Sequence, residues 1–367
     1  MEYMLLGNYG QYCILIKPDD RQDLLGTNIP GVYTRYNRNL VRQHESTAYH
    51  GGGSIQPPAS ISIDKKGGFI MKAAYKAMDV FLLLLAVSWS ASGFAGEAKK
   101  SIIVSDIGLS TPESVEYNGA EDVYLVTNIN GDPLAADGNG FISKLGPDGS
   151  VIDLKWIDGT RKGVTLNAPK GAAIADGKLF VADLNQVQVF ALPSGKQIKS
   201  ITIAGSTFLN GITPGSGDSV YVTDSGFKTG FAPSGTDAIY RVWANGKYTA
   251  IAKDKEMGHP NGIWNNNGRL VVVTYGSGEM FSVDPSGKRT AMPSPPKGAL
   301  DGLIRIKDGP YLVSSWEGSA IYSLDDKGNF SVLADSLESP ADLGFDTRRS
   351  RVLIPLFKLN KVVILPY

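Results

Sequence analysis

The sequence predicts an all-β protein, a six-bladed β-propeller of four-stranded antiparallel blades. Three observations predict it. A strand-entry step recurs six times at a spacing of about forty residues, the range of propeller blades. Glycine is abundant, 43 of 367 residues, and stands between short apolar runs, which marks many turns and an all-β chain. The repeat region opens on a lone strand and ends on an incomplete repeat, an arrangement that ring closure explains.

Each blade is lettered A to D from the innermost strand outward. The step into strand A reads TPESV at 111–115, APKGA at 168–172, FLNGI at 208–212, HPNGI at 259–263, ALDGL at 299–303 and SPADL at 339–343. The middle residues form one column: Glu113, Lys170, Asn210, Asn261, Asp301 and Ala341. Strand B is expected to run to Asn128, Asp183, Asp224, Tyr275, Ser315 and Leu356. A third strand then reaches a tight turn such as GPDG at 146–149, WANG at 243–246 or DDKG at 325–328. Pro and Gly at these offsets supply the fixed and the positive φ that tight turns need. A fourth short strand follows each turn. The last repeat stops after its third strand, and residues 100–106 (KSIIVSD) offer the missing fourth. Pairing them would close the ring and remove the open edges. A β-sandwich also has many short strands, but it explains neither the period nor the unpaired ends.

Two repeats exceed forty residues. The extra length lies at 128–140 in the first and 225–238 in the third, both between strands B and C. That loop shares a rim with the entry to strand A. Long loops on one rim mark a binding face.

The entry to the innermost strand faces the central channel, so the column converges near the axis. It holds two carboxylates, two amides, one ammonium and one methyl group. Crowded carboxylates repel unless something positive sits among them. Glu113, Asp301 and the amide oxygens of Asn210 and Asn261 make an all-oxygen set of the kind Ca²⁺ takes. Lys170 leaves two readings open. Its ammonium neutralises the carboxylates in place of a metal, or it stands off-axis and binds an anionic or hydroxylated ligand. His259 stands at the mouth of the fourth blade as a substrate contact or a capping residue. Asp183 and Asp224 occupy matching strand ends, where they line the site rim, Asp224 as a substrate contact, or hydrogen-bond loop amides. Asp132, Asp137 and Asn139 lack calcium-hand spacing, which favours ordinary turn chemistry.

Composition excludes other classes. Lys and Arg balance Asp and Glu at 36 each with no basic cluster, which argues against nucleic acid. One cysteine, Cys13, excludes an intrachain disulfide. Three histidines disfavour a multi-histidine zinc site. No Gly-rich phosphate loop joins a strand to a helix, so no organic cofactor is expected.

The N-terminal part reads differently. From Met71 the chain carries Lys72 and Lys76, then the apolar run 80–87 (VFLLLLAV), then small residues to Ala95. These are the parts of a secretory signal peptide, 71–95. The run is too short to span a bilayer, so no membrane span is expected in the mature form. Residues 1–70 read as an upstream extension, 96–367 as the propeller, and the protein as periplasmic or secreted.

With these residues in place, the chain from 101 to 367 resembles the senescence marker protein/gluconolactonase family, the regucalcin-like propellers. The resemblance implies a divalent metal in the channel. The family carries a metal-binding Glu in the first blade, a substrate-facing Asn in the third, a metal-binding Asn in the fourth and a metal-binding Asp in the fifth. Here those positions read Glu113, Asn210, Asn261 and Asp301, and Asp301 inherits the role of catalytic base. Two departures stand out. Phe208 replaces the Arg that the family's sugar-lactone hydrolases carry two residues before the third-blade Asn, and Lys170 replaces an uncharged residue. Both speak against a sugar-acid lactone. The expected activity is metal-assisted hydrolysis of a lactone or related ester, with Asn210 and Lys170 positioning the small-molecule substrate. The alternative is a non-catalytic periplasmic propeller that binds a small ligand or a protein partner.

Overall fold

The computed structural model describes residues 100–367, together with a two-residue strand pair, Tyr3–Met4 with Leu15–Ile16. Residues 1–90 and 91–367 separate into two compact units. The signal-peptide reading at 71–95 and the rest of 1–70 lie outside the described residues. Among the described residues, no helix is long and apolar enough to cross a membrane.

The second unit is a six-bladed propeller. Each blade is a four-stranded antiparallel sheet. Strands A begin at Pro112–Asn118, Pro169–Ala175, Leu209–Pro214, Pro260–Asn266, Leu300–Arg305 and the short Gly344–Asp346. Ring closure is as expected. Strand Ile102–Val104 pairs antiparallel with Lys361–Pro366, with Ile103 opposite Val363.

Strand B of the first blade shows how the sequence builds this ring. All six residues of Val123–Asn128 are buried. Successive side chains point to opposite faces, so Val123 and Leu125 pack toward the second blade while Tyr124 and Val126 pack toward the sixth. A sheet covered on both faces needs apolar residues on both. The described core divides into six apolar clusters, one at each blade interface.

A polar clasp reinforces the joint between the sixth and first blades. Tyr124 Oη donates to Asp346 Oδ2 at 2.7 Å. Arg349 bridges Asp346 and Asp122, and the guanidinium holds Asp122 well below the usual carboxylate range.

Candidate active site

Strand A does not run straight past strand B. In five blades the ladder slips between a first pair and a second, for example between Pro112–Asn128 and Val115–Val126. The same slip occurs after Pro169, Leu209, Pro260 and Leu300. Two residues of strand A then oppose one of strand B, which is a β-bulge. The first bulged residue is the column residue every time. Bulges re-aim side chains, and here they turn Glu113, Lys170, Asn210, Asn261 and Asp301 onto one cavity of about 600 Å³. All five are buried, with at most 6% of their surface exposed. Ala341, the sixth member, is fully buried and is not part of the cavity wall.

Hydroxyls opposite the bulges fasten strand A to strand B and, in the third and fifth blades, reach the next blade as well. Thr127 Oγ1 accepts from Ser114 N–H at 2.9 Å, and Ser314 Oγ accepts from Gly302 N–H at 2.7 Å. Thr223 Oγ1 donates to the Asn261 carbonyl at 2.8 Å, and Ser314 Oγ to that of Ala341 at 2.9 Å. The backbone of the column is thereby fixed to its neighbour at Asn261 and Ala341.

The charges on the floor are out of balance. Burial pushes the Glu113 carboxyl well above its usual range, and the nearby Asp301 and Asp342 push it further, with Lys170 partly offsetting them. Asp301 is pushed up to about 8 by burial and by Asp342, while the Trp316 and Asn261 side chains pull it partway back. Glu113 Oε2 and Asp301 Oδ1 are buried without a hydrogen-bond partner. Lys170 does not fill that role. Its Nζ donates to the Ala168 carbonyl at 3.0 Å and lies 4.3 Å over the Phe208 ring. Among the described residues no salt bridge joins it to a column carboxylate. Desolvation pulls its pKa down to about 8 despite Asp183, Glu113 and Asp132 nearby.

Asn210 Nδ2 donates to Ser225 Oγ at 3.1 Å, which fixes the amide at the cavity wall. His259 Nδ1 lies 2.7 Å from the Ser225 carbonyl. A carbonyl only accepts, so Nδ1 is the donor in this contact. The ring stacks on Phe227 at 4.3 Å and lines the cavity.

Asp224 requires a correction. Its carboxylate is fully buried, accepts from the Phe208 and Gly226 amides at 2.9 and 3.1 Å, and is not part of the cavity wall. Asp183 accepts from Asn167 and Ala168 in the same way. Both hold the loop that enters strand A, because buried amides there need acceptors. Asp132 and Asp137 accept from amides two residues on, which is turn chemistry. Phe227 is only 8% exposed because Phe208, Phe231, His259 and Tyr275 surround it.

The fourth blade shifts by one residue. Strand B ends at Thr274, opposite Pro260, and Tyr275 lies just beyond. Aligned this way, the residues following each strand B form a second column: Ile129, Leu184, Ser225, Tyr275, Trp316 and Phe357. Ile129, Tyr275, Trp316 and Phe357 line the cavity above the polar floor. Sequence reading placed Tyr275 at the end of strand B and passed over the other three, although the same forty-residue period would have aligned them.

No family model matches the chain, and no curated protein does. Solved structures share its fold. A gluconolactonase from Xanthomonas campestris matches with a TM-score of 0.55 at 18% identity, over 70% of this chain and 86% of that one. Another protein assigned to the gluconolactonases matches at 0.56 and 14%, over 74% and 92%. A streptogramin B lyase matches at 0.52 and 14%, over 72% and 97%. At these identities the likeness is one of architecture, and the chain is a six-bladed propeller with the fold that gluconolactonases also adopt.

Proposed function

We propose that the protein is a metal-dependent hydrolase of a lactone or related ester, with Glu113, Asn261 and Asp301 as ligands of a divalent cation. The observation that carries this is the pair of partnerless buried oxygens, Glu113 Oε2 and Asp301 Oδ1, on one cavity floor. Two buried carboxylates that no salt bridge neutralises are costly. Lys170 is engaged elsewhere, and an oxygen donor set suits Ca²⁺. Such a cation, when bound, supplies polarisation of a carbonyl oxygen and acidification of a water.

The chain's own residues do the rest. Asp301 orients the attacking water and accepts its proton. The water oxygen bonds to the acyl carbon, the acyl–oxygen bond breaks, and the departing oxygen takes up the proton, giving a hydroxy acid. Asn210 and Lys170 position the substrate by hydrogen bonds, and His259 contacts it at the mouth. The segment at 71–95 supports a periplasmic or secreted location, which sequencing the N-terminus of the expressed protein would check.

The test pairs metal analysis of the purified protein with turnover on a lactone panel. We expect a retained divalent ion, loss of activity in chelator, and a fall of about 100-fold or more in kcat for Asp301→Asn. A protein that keeps no divalent ion and whose Asp301→Asn variant hydrolyses as fast as the parent would overturn the proposal. Ligand binding without turnover would instead support a binding propeller, a reading the aromatic mouth favours.

A further inference from the structure

The wall of the cavity is as ordered as its floor. From the third blade, Phe208, Phe227 and Phe231 pack edge to face, with centroids 5.6, 6.2 and 5.7 Å apart. Phe227 meets Tyr275 at 6.4 Å, Tyr275 meets Trp316 at 5.6 Å, and Trp316 meets Phe357 at 5.1 Å. These rings make one unbroken arc across four blades. Ile129 and Pro133 of the first blade complete the apolar wall. Within the wall the polar atoms are the Tyr275 hydroxyl and Trp316 Nε1, and the other polar groups belong to the floor, to Lys170 and to His259.

We infer that the ligand is amphipathic, with a carbonyl-bearing head on the floor and a flat apolar ring against the arc. This rests on the hydrolase reading only for the identity of the head. Three observations carry it. Rings set edge to face present both edges and faces, which suits another planar ring. A cavity of about 600 Å³ is of a size for a ligand much larger than a small lactone. A polyhydroxylated ring against that wall would bury hydroxyls with few partners, which costs affinity.

Phe231 is the specificity-determining residue best suited to a test. It is 51% exposed at the tip of a small hairpin, Phe227–Lys228 paired with Ala232–Pro233, and lines the cavity. Its replacement therefore removes ring contact without opening the core. Phe357, on the opposite end of the arc, is the second site.

The experiment uses non-hydrolysable probes and so does not depend on turnover. The affinities of δ-valerolactam and 6-phenyl-δ-valerolactam are measured by calorimetry against the protein and its Phe231→Ser and Phe357→Ser variants. The phenyl probe is expected to bind at least about tenfold tighter, since roughly 50 Å² of apolar surface leaves water. Each variant is expected to cut that ratio several-fold. Equal affinities for the two probes, or a ratio unchanged in both variants, would overturn the inference. In parallel, turnover of the phenyl lactone is compared with that of glucono-δ-lactone. Preference for the sugar lactone would also overturn it. If the lactams behave as expected and neither lactone is hydrolysed, the ligand class stands and the hydrolase reading fails.

Discussion

Asp342 stands in the sixth blade where four other blades carry glycine, one residue past the column. Its amide donates to the Glu113 carbonyl at 2.9 Å, and its Oδ2 accepts from Ser114 Oγ at 3.0 Å. Burial pushes its carboxyl up to about 7, with the Ser114 hydroxyl holding it partly down. A carboxyl whose folded pKa exceeds its unfolded value of about 4 binds its proton more tightly in the native state. Stability then falls as pH rises between the two values. We expect metal-free protein to melt several degrees lower at pH 8 than at pH 5. Asp342→Asn, which keeps an acceptor for Ser114 without the charge, should recover part of that loss at pH 8 and little at pH 5. Thermal unfolding at both pH values checks this. An identical loss in the variant would remove Asp342 from the account. The column itself was legible in the sequence because a forty-residue period aligns its members. The bulge that aims them was not, since it depends on which residues pair across strands. Asp342 was also missed, because Ala341 drew attention to a position without a ligand while the acid sat one residue later.

At the scale of elements, strands and turns were legible and loop roles were not. Strand B is written as a run of apolar residues on both faces, and Asp284 with Gly287 closes a turn as its residue types suggest. The hairpin carrying Phe231 has two-residue strands, too short for any periodicity to show. Asp224 was read as a possible ligand contact because an acid at a strand end near the rim suits either role. Only the positions of the Phe208 and Gly226 amides decide between them. Asp224→Ala leaves those buried donors without an acceptor. We expect it to cost about 2–3 kcal/mol in urea unfolding and to disorder the third-blade mouth. The polar clasp at the closing joint predicts similarly. Asp346→Ala removes the acceptor of Tyr124 Oη and of the Arg348 and Arg349 amides, and should lower stability by about 2 kcal/mol or more.

At the largest scale, the propeller is a ring held by inner strands in direct backbone contact. Gly171, Gly211, Gly262 and Gly302 each follow a column residue, and a Cβ on any of them would run into the next blade's main chain. At Gly171 that Cβ would lie 2.6 Å from the Asn210 carbonyl oxygen. Gly262→Ala should therefore destabilise by about 3 kcal/mol through forced displacement of the fifth blade, and a variant as stable as the parent would show the ring yields more easily than its contacts suggest. The Asn-Gly and Asp-Gly pairs were visible in the sequence as part of the step into strand A, but not as spacers. Their consequence reaches beyond packing. Because bare backbone sets the bore of the channel, the side chain one position earlier is free of any duty to hold the blades apart. The channel positions behave as sockets in a fixed frame, and a lysine, an amide or an acid can be exchanged at one socket while the others keep their places. A scaffold of this kind can change its chemistry one blade at a time.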